Sequence, residues 1–140
     1  MSKAVMYAIK PKYCELIKKK MKTAEVRKRI PILSLPYKCY IYQTGNGGVI
    51  GEFICDYIKG WHRQRREGKL SKWREVISKG EMTECCLDSD EYEMYAPTDE
   101  NLYASHISEL IIYAEPKPLT AFGLYKPPQS WCYVEEQKLF

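Results

Sequence analysis

The hydrophobic and polar positions of the chain fall into regular stretches. Residues 4–9 (AVMYAI) are an unbroken apolar run, short and rich in strand formers. Pro11 follows, and proline suits the first position of a helix, where its missing N–H would have no partner. Tyr13, Leu16 and Ile17 then form one apolar stripe, and Lys18, Lys19 and Lys20 close the helix at the negative end of its dipole. From 23 to 30 the period becomes two. Ala24, Val26 and Ile30 point one way, with Lys28 the exception among them, and Thr23, Glu25, Arg27 and Arg29 point the other. Residues 37–44 (YKCYIYQT) and 49–58 (VIGEFICDYI) read as strands joined by Gly45-Asn46-Gly47-Gly48, residues that accept positive φ in a hairpin turn. Gly51 inside the second run signals a bulge or a close backbone approach.

Beyond residue 60 the pattern changes. In 60–80, Leu70, Trp73, Val76 and Ile77 predict a helix over about 71–79 with Ser71 as its cap, and the acidic stretch 84–97 predicts a second short helix ending before Pro97. Residues 102–113 (LYASHISELIIY) return to a β pattern stopped by Pro116 and Pro118, and 131–134 supply a last strand. The order is β, α, then mostly β, with a helical insertion. It predicts an α+β fold, a small mixed β-barrel with short helices at its ends. At 140 residues the chain is one domain, 1–140, with the insertion at about 60–100.

Charge sharpens this picture more than composition does. The net charge is +4, but residues 1–38 carry +9, 39–58 carry −2, 59–80 carry +6 and 81–140 carry −9. A basic face could meet a polyanion, or the two halves could neutralise each other in the fold. Six cysteines form no C-x-x-C pair and there are only two histidines, so neither a metal nor another cofactor is expected. No apolar run is long enough to span a membrane, so no membrane partner is expected. No secretion signal is read at the N-terminus. Reduced thiols in a cytoplasmic protein are the simplest account.

The residues become specific between 9 and 31. Ile9-Lys10-Pro11-Lys12-Tyr13, Leu16-Ile17 and the run from Lys22-Thr23-Ala24-Glu25 through Val26-Arg27-Lys28-Arg29 to Ile30-Pro31 resemble the signature of the ASCH domain. Val49-Ile50-Gly51-Glu52-Phe53, Tyr103 to Ser108, Lys117-Pro118-Leu119 and Pro127 to Trp131 are similar to its later segments, and Lys20 stands where the family usually has glycine. The resemblance covers most of the chain and is weakest between 60 and 100. It implies a PUA-like β-barrel and a cleft lined by the K-T-x-E-x-R strand that holds RNA, a nucleotide or a modified nucleoside.

The candidate ligand-binding residues are Lys10, Thr23, Arg27, Arg29 and Trp131. Guanidinium groups of Arg27 and Arg29 match phosphate oxygens, and Glu25 could orient an arginine or accept from a base edge. Against this stands a solvated ladder of weak surface charges. Trp131 could stack a base. Tyr40 and Tyr42 read more readily as core, and His106 as a half-buried, satisfied histidine. Glu52 and Asp56 share a face and need partners, for which an arginine of the 23–29 ladder is a candidate. The basic segment Trp61 to Arg66 with Lys69, Lys72 and Arg74 could track a nucleic-acid backbone or stand as a solvated loop.

If the protein is an enzyme, Lys22 and Glu25 are the candidate catalytic residues, in an amidohydrolase or a ribonuclease. One branch of the resembled family hydrolyses acetylated cytidine with a K-T-x-T-x-R motif. Lys22 and Arg27 match that motif, but Glu25 stands at its second threonine, and a carboxylate is no hydroxyl nucleophile. A third class, a protein-interaction domain, is motivated by the acidic last 60 residues.

Overall fold

The computed structural model describes residues 2–98 and 101–137. The apolar run at the start forms β1 (Lys3–Ile9), buried from Ala4 onward. Its side chains alternate between two cores. Val5, Tyr7 and Ile9 pack with Cys14, Ile17, Ile41 and Phe53 on one face, and Ala4, Met6 and Ala8 pack with Tyr40, Phe122 and Val134 on the other. A strand covered on both faces reads as continuous hydrophobicity rather than alternation. Tyr40 and Tyr42 are core, as their pattern predicts.

Helix α1 (Pro11–Lys18) starts at the predicted proline and carries Cys14 and Ile17 into the first core. It ends in a Schellman turn. The Lys20 N–H donates to Ile17 O, the Met21 N–H donates to Leu16 O, and Lys20 takes a left-handed φ of 61°. That conformation favours the glycine for which Lys20 stands in. The chain then enters β2 (Ala24–Arg27), shorter than the alternation over 23–30 predicts.

Strands β3 (Tyr37–Gln43) and β4 (Gly48–Trp61) form the predicted hairpin, and β7 (Leu102–Lys117) runs antiparallel along β4. With β8 (Trp131–Glu135) the sheet order is β2-β7-β4-β3-β1-β8, and β1 and β3 are parallel. At Gly51 β7 approaches the β4 backbone tightly. The register shifts beside it, and a Cβ there would lie 2.5 Å from the Ile111 carbonyl oxygen.

The expected barrel is not what forms. The six-stranded sheet stays open, with β2 at one edge and β8 at the other. The sheet curls enough for one side chain to reach across: Arg27 of β2 donates to Ala8 O on β1 and to Ser130 just before β8. The fold is α+β with short helices, as expected, without barrel closure.

The insertion differs from its predicted form. Ser71 caps no helix. Its backbone N–H donates to Gln64 O, and its hydroxyl accepts from the Gln64 N–H. This closes a hairpin of β5 (Arg65–Arg66) and β6 (Lys69–Leu70). The expected helix over 71–79 is two: α2 (Trp73–Val76) and α3 (Lys79–Cys85), broken at Ile77. The second predicted helix is α4 (Ser89–Tyr95), ending before Pro97 as expected. Ser78 with Glu81 and Asp88 with Glu91 form capping boxes that start α3 and α4. A third core joins Trp61, Trp73, Ile77, Cys85 and Tyr92 to Ala24 and Val26 of β2, so the insertion is built onto the edge strand. Among the described residues no helix is long and apolar enough to cross a membrane.

The charge halves do meet. Lys12 faces Glu91 at 3.7 Å, Lys59 pairs with Glu81, and Arg63 pairs with Glu93. The acidic helices thereby neutralise part of the basic surface.

Candidate functional site

Three elements converge beside β2. The turn after α1 supplies Lys22, β2 supplies Glu25 and Arg27, and α4 supplies Glu91, Met94 and Tyr95, around a cleft of about 470 Å³. Ile9, Val26 and Leu87 give it apolar walls, and Lys10, Tyr13 and Gln129 also line it. That volume lies within the range of small-molecule sites.

The floor is a charge triad. Lys22, whose side chain is 1% exposed, places Nζ 3.3 Å from Glu25 Oε1 and donates to Cys85 O at 2.6 Å. Arg27 Nη2 donates to Glu25 Oε2 at 2.8 Å. Burial pushes the Glu25 carboxyl up, but the Lys22 ammonium and the Arg27 guanidinium outweigh it and hold the group below the usual carboxylate range. Burial likewise opposes the Arg27 charge, and Glu25 overrides it and raises that group. Lys22 Nζ also lies 5.1 Å from the Tyr13 ring centroid. The Tyr13 hydroxyl donates to Glu91 at 3.0 Å; burial first, and Glu91 second, push it up to about 12.

Arg27 is engaged by the protein itself. Its four terminal protons are committed within the protein: Nη1 to Ser130 O and Oγ, Nη2 to Ala8 O and Glu25. As placed, Arg27 ties three strands together and orients Glu25. A forked grip on phosphate would break these bonds. Glu25 has spare lone pairs and Lys22 has a third proton, since a carboxylate accepts about four hydrogen bonds and an ammonium donates three.

The other sequence candidates scatter. Lys10 lines the cleft and is exposed. Thr23 lies outside it, lining a separate depression with Ile17, Ile107 and Glu109; its N–H donates to Glu84 O and its carbonyl accepts from Ile107. Arg29 is exposed beyond the end of β2, because the strand stops at Arg27. Trp131 is half-buried on β8, packed against the first core and edge-on to Tyr133. Glu52 finds Lys38 at 2.6 Å and the Tyr113 hydroxyl at 2.7 Å, not an arginine of the β2 region. Asp56 pairs with His106 Nδ1 at 2.7 Å. His106 is half-buried and stacked on Tyr57, as a satisfied histidine should be. Sequence reasoning missed Glu91, Met94 and Tyr95, because nothing local places α4 against residues some seventy positions earlier.

Among the described residues no group of three His, Cys, Asp or Glu side chains is placed to hold a metal ion. The structure therefore defines an α+β domain with an open six-stranded sheet and one charge-floored cleft between its edge strand and an inserted helix. That fold is the ASCH-domain fold. The crystal structure of ASCH from Zymomonas mobilis superimposes with a TM-score of 0.74 at 20% identity, covering 95% of this chain and 88% of that one. Two mutant forms of the Zymomonas mobilis protein match with the same TM-score, at 21% and 20% identity, over 95% of this chain and 91% and 89% of theirs. No family model matches the sequence, and no curated protein matches it.

Proposed function

We propose that this protein is an ASCH-domain binding module whose cleft holds one nucleoside or nucleotide, free or as a unit of RNA. The observation that carries the reading is Glu25. It is a buried, ionised carboxylate fixed at the cleft floor by two cations, with lone pairs to spare. A carboxylate so fixed suits an exocyclic amine or ring N–H of a base edge. Tyr13, Tyr95 and Met94 offer flat or adaptable walls for the base, and Lys10 stands exposed on the lining for a phosphate. With Lys10, Lys22 and Arg27 against Glu25 and Glu91, the cleft lining carries only one net positive charge. The reading is thus a small ligand chosen by hydrogen bonding, with no strong general attraction to polyanions in the cleft itself.

The hydrolase reading, an amidohydrolase or a ribonuclease using Lys22 and Glu25, has less support. Lys22 is placed as a donor to Cys85 O and Glu25, and the charge state of Glu25 is spent on the ion pairs. Calorimetric titration with the four nucleosides and their 5′-monophosphates tests the binding reading. Glu25→Gln, verified as folded by circular dichroism, is expected to weaken the preferred ligand at least about tenfold, the worth of one charge-assisted hydrogen bond. Absence of binding by all eight compounds, or unchanged affinity in the variant, defeats it. Turnover of acetylated cytidine or of RNA that vanishes in Lys22→Met would favour the hydrolase instead.

A further inference from the structure

The inserted hairpin carries basic side chains that the cleft does not use. Strands β5 and β6 are joined by Glu67 and Gly68 at φ 52° and 74°, a two-residue turn with both positions left-handed. Its register sets Arg66 directly opposite Lys69. Like charges opposite each other in an antiparallel pair destabilise it. Here the pair sits at the rim of a second cavity, about 580 Å³, lined by His62, Arg66, Lys69, Ser71, Lys72 and Glu75 among others. Arg66, Lys69 and Lys72 are exposed. Carboxylates near these cations among the described residues include Glu67 in the turn and Glu75, which accepts from the Lys72 backbone N–H. Three cations thus converge on one concavity.

The insertion is fixed to the cleft wall. Arg63, at the base of the hairpin, is held by Glu93 and Ala96 O and lies over the Trp73 ring. The Trp73 backbone N–H also donates to Glu93. Glu93 belongs to α4, whose Glu91, Met94 and Tyr95 line the cleft. One short helix therefore has the nucleoside cleft on one side and the root of the basic hairpin on another.

We propose that the concavity between the β5–β6 hairpin and α2 holds the phosphate backbone of an RNA strand, with Arg66, Lys69 and Lys72 as its phosphate contacts. An anion between Arg66 and Lys69 relieves their repulsion, and a strand bound there extends past a nucleotide held in the cleft. An anionic membrane fits less well. None of the large hydrophobic side chains found exposed lies between His62 and Glu75, so the surface has no apolar anchor to insert. The kind of ligand rests on the cleft reading, but the site does not.

The test compares the protein with the triple variant Arg66→Gln/Lys69→Gln/Lys72→Gln and with a charge-matched control, Lys3→Gln/Lys18→Gln/Lys19→Gln. Binding of a single-stranded RNA of about 12 nucleotides is measured against salt by fluorescence anisotropy. Each neutralised phosphate contributes about 0.7 to the log–log salt slope of a single strand, so three contacts predict a slope shallower by about 2 in the triple variant and nearly unchanged in the control. Mononucleotide affinity is expected to be the same in all three proteins. An unchanged slope in the triple variant, or an equal loss in the control, overturns the proposal. So does phosphatidylserine vesicle binding that the triple variant abolishes while RNA binding persists. Mononucleotide titration reports on the cleft and the oligomer slope on the hairpin, so the two readings fail separately.

Discussion

Replacing Lys22 with methionine asks whether the cleft floor is a coupled ionic network. The Lys22 side chain is 1% exposed and that of Glu25 7% exposed, so neither charge has water to fall back on. Without the ammonium, Glu25 keeps Arg27 at 2.8 Å but loses the partner of Oε1, and Cys85 O loses the proton it accepts. Breaking one partner out of a buried pair costs about 3–5 kcal/mol. The surviving guanidinium places this case near the low end, about 3 kcal/mol, or roughly 10 °C in Tm for a chain of this size. Glu25→Gln is expected to cost a similar amount, because it leaves two cations facing each other. The double variant Lys22→Met/Glu25→Gln should cost less than the sum of the singles by about 1–3 kcal/mol. Urea unfolding at neutral pH, followed by the fluorescence of the buried Trp61 and Trp73, measures all three. Acid adds an independent reading. The folded Glu25 carboxyl titrates below its unfolded value of about 4.3, so as pH falls the unfolded chain takes up the proton first. The stabilisation is full above the unfolded value and is lost as pH falls from there through the lower folded one, and Lys22→Met should flatten that loss. Singles that add to the double within about 0.5 kcal/mol, with an unaltered acid limb, refute the network.

Other substitutions probe the frame around the site. Lys20→Gly should stabilise the protein by up to about 1 kcal/mol in chemical unfolding, since it relieves a side chain at φ 61° in the Schellman turn; a neutral or negative result contradicts the strain argument. Gly51→Ala should destabilise by about 2 kcal/mol or more in calorimetry, because the neighbour 2.5 Å from the new Cβ is the Ile111 backbone carbonyl. Trp73→Ala should cost about 3–5 kcal/mol, since the side chain is fully buried and its indole donates to Ala96 O at 2.8 Å. Hydrogen exchange is expected to show amides of α2–α4 losing protection before those of β1 and β3.

Much of the fold was legible because its signals are local. Pro11, the stripe of Tyr13, Leu16 and Ile17, and the Gly-Asn-Gly-Gly turn each act over a few residues, and each element formed where it was read. The insertion misled because Trp73, Val76 and Ile77 pack against a distant surface, while Leu70 belongs to the β5–β6 hairpin. Their spacing therefore follows the third core rather than one helix. The pattern of apolar positions does not register the capping pairs Ser78–Glu81 and Asp88–Glu91, which start α3 and α4 through local hydrogen bonds. Within the site, the alternation of Glu25 and Arg27 on β2 was visible, whereas Thr23 and Arg29 obeyed the same alternation beyond the strand that enforces it.

By itself the sequence determined which residues would be strand, helix and turn over most of the sheet, and that Glu25 and Arg27 would share one face of a strand. Those properties rest on φ/ψ preference and on period, which a few neighbours decide. Only the tertiary structure decided what the three charges do. The curl of an open sheet brings Ala8 and Ser130 to Arg27, which braces β2 against them. The docking of α4 roofs the cleft with Glu91, Met94 and Tyr95. Charge takes its meaning from burial and partners, and both are set by chain segments far apart in sequence.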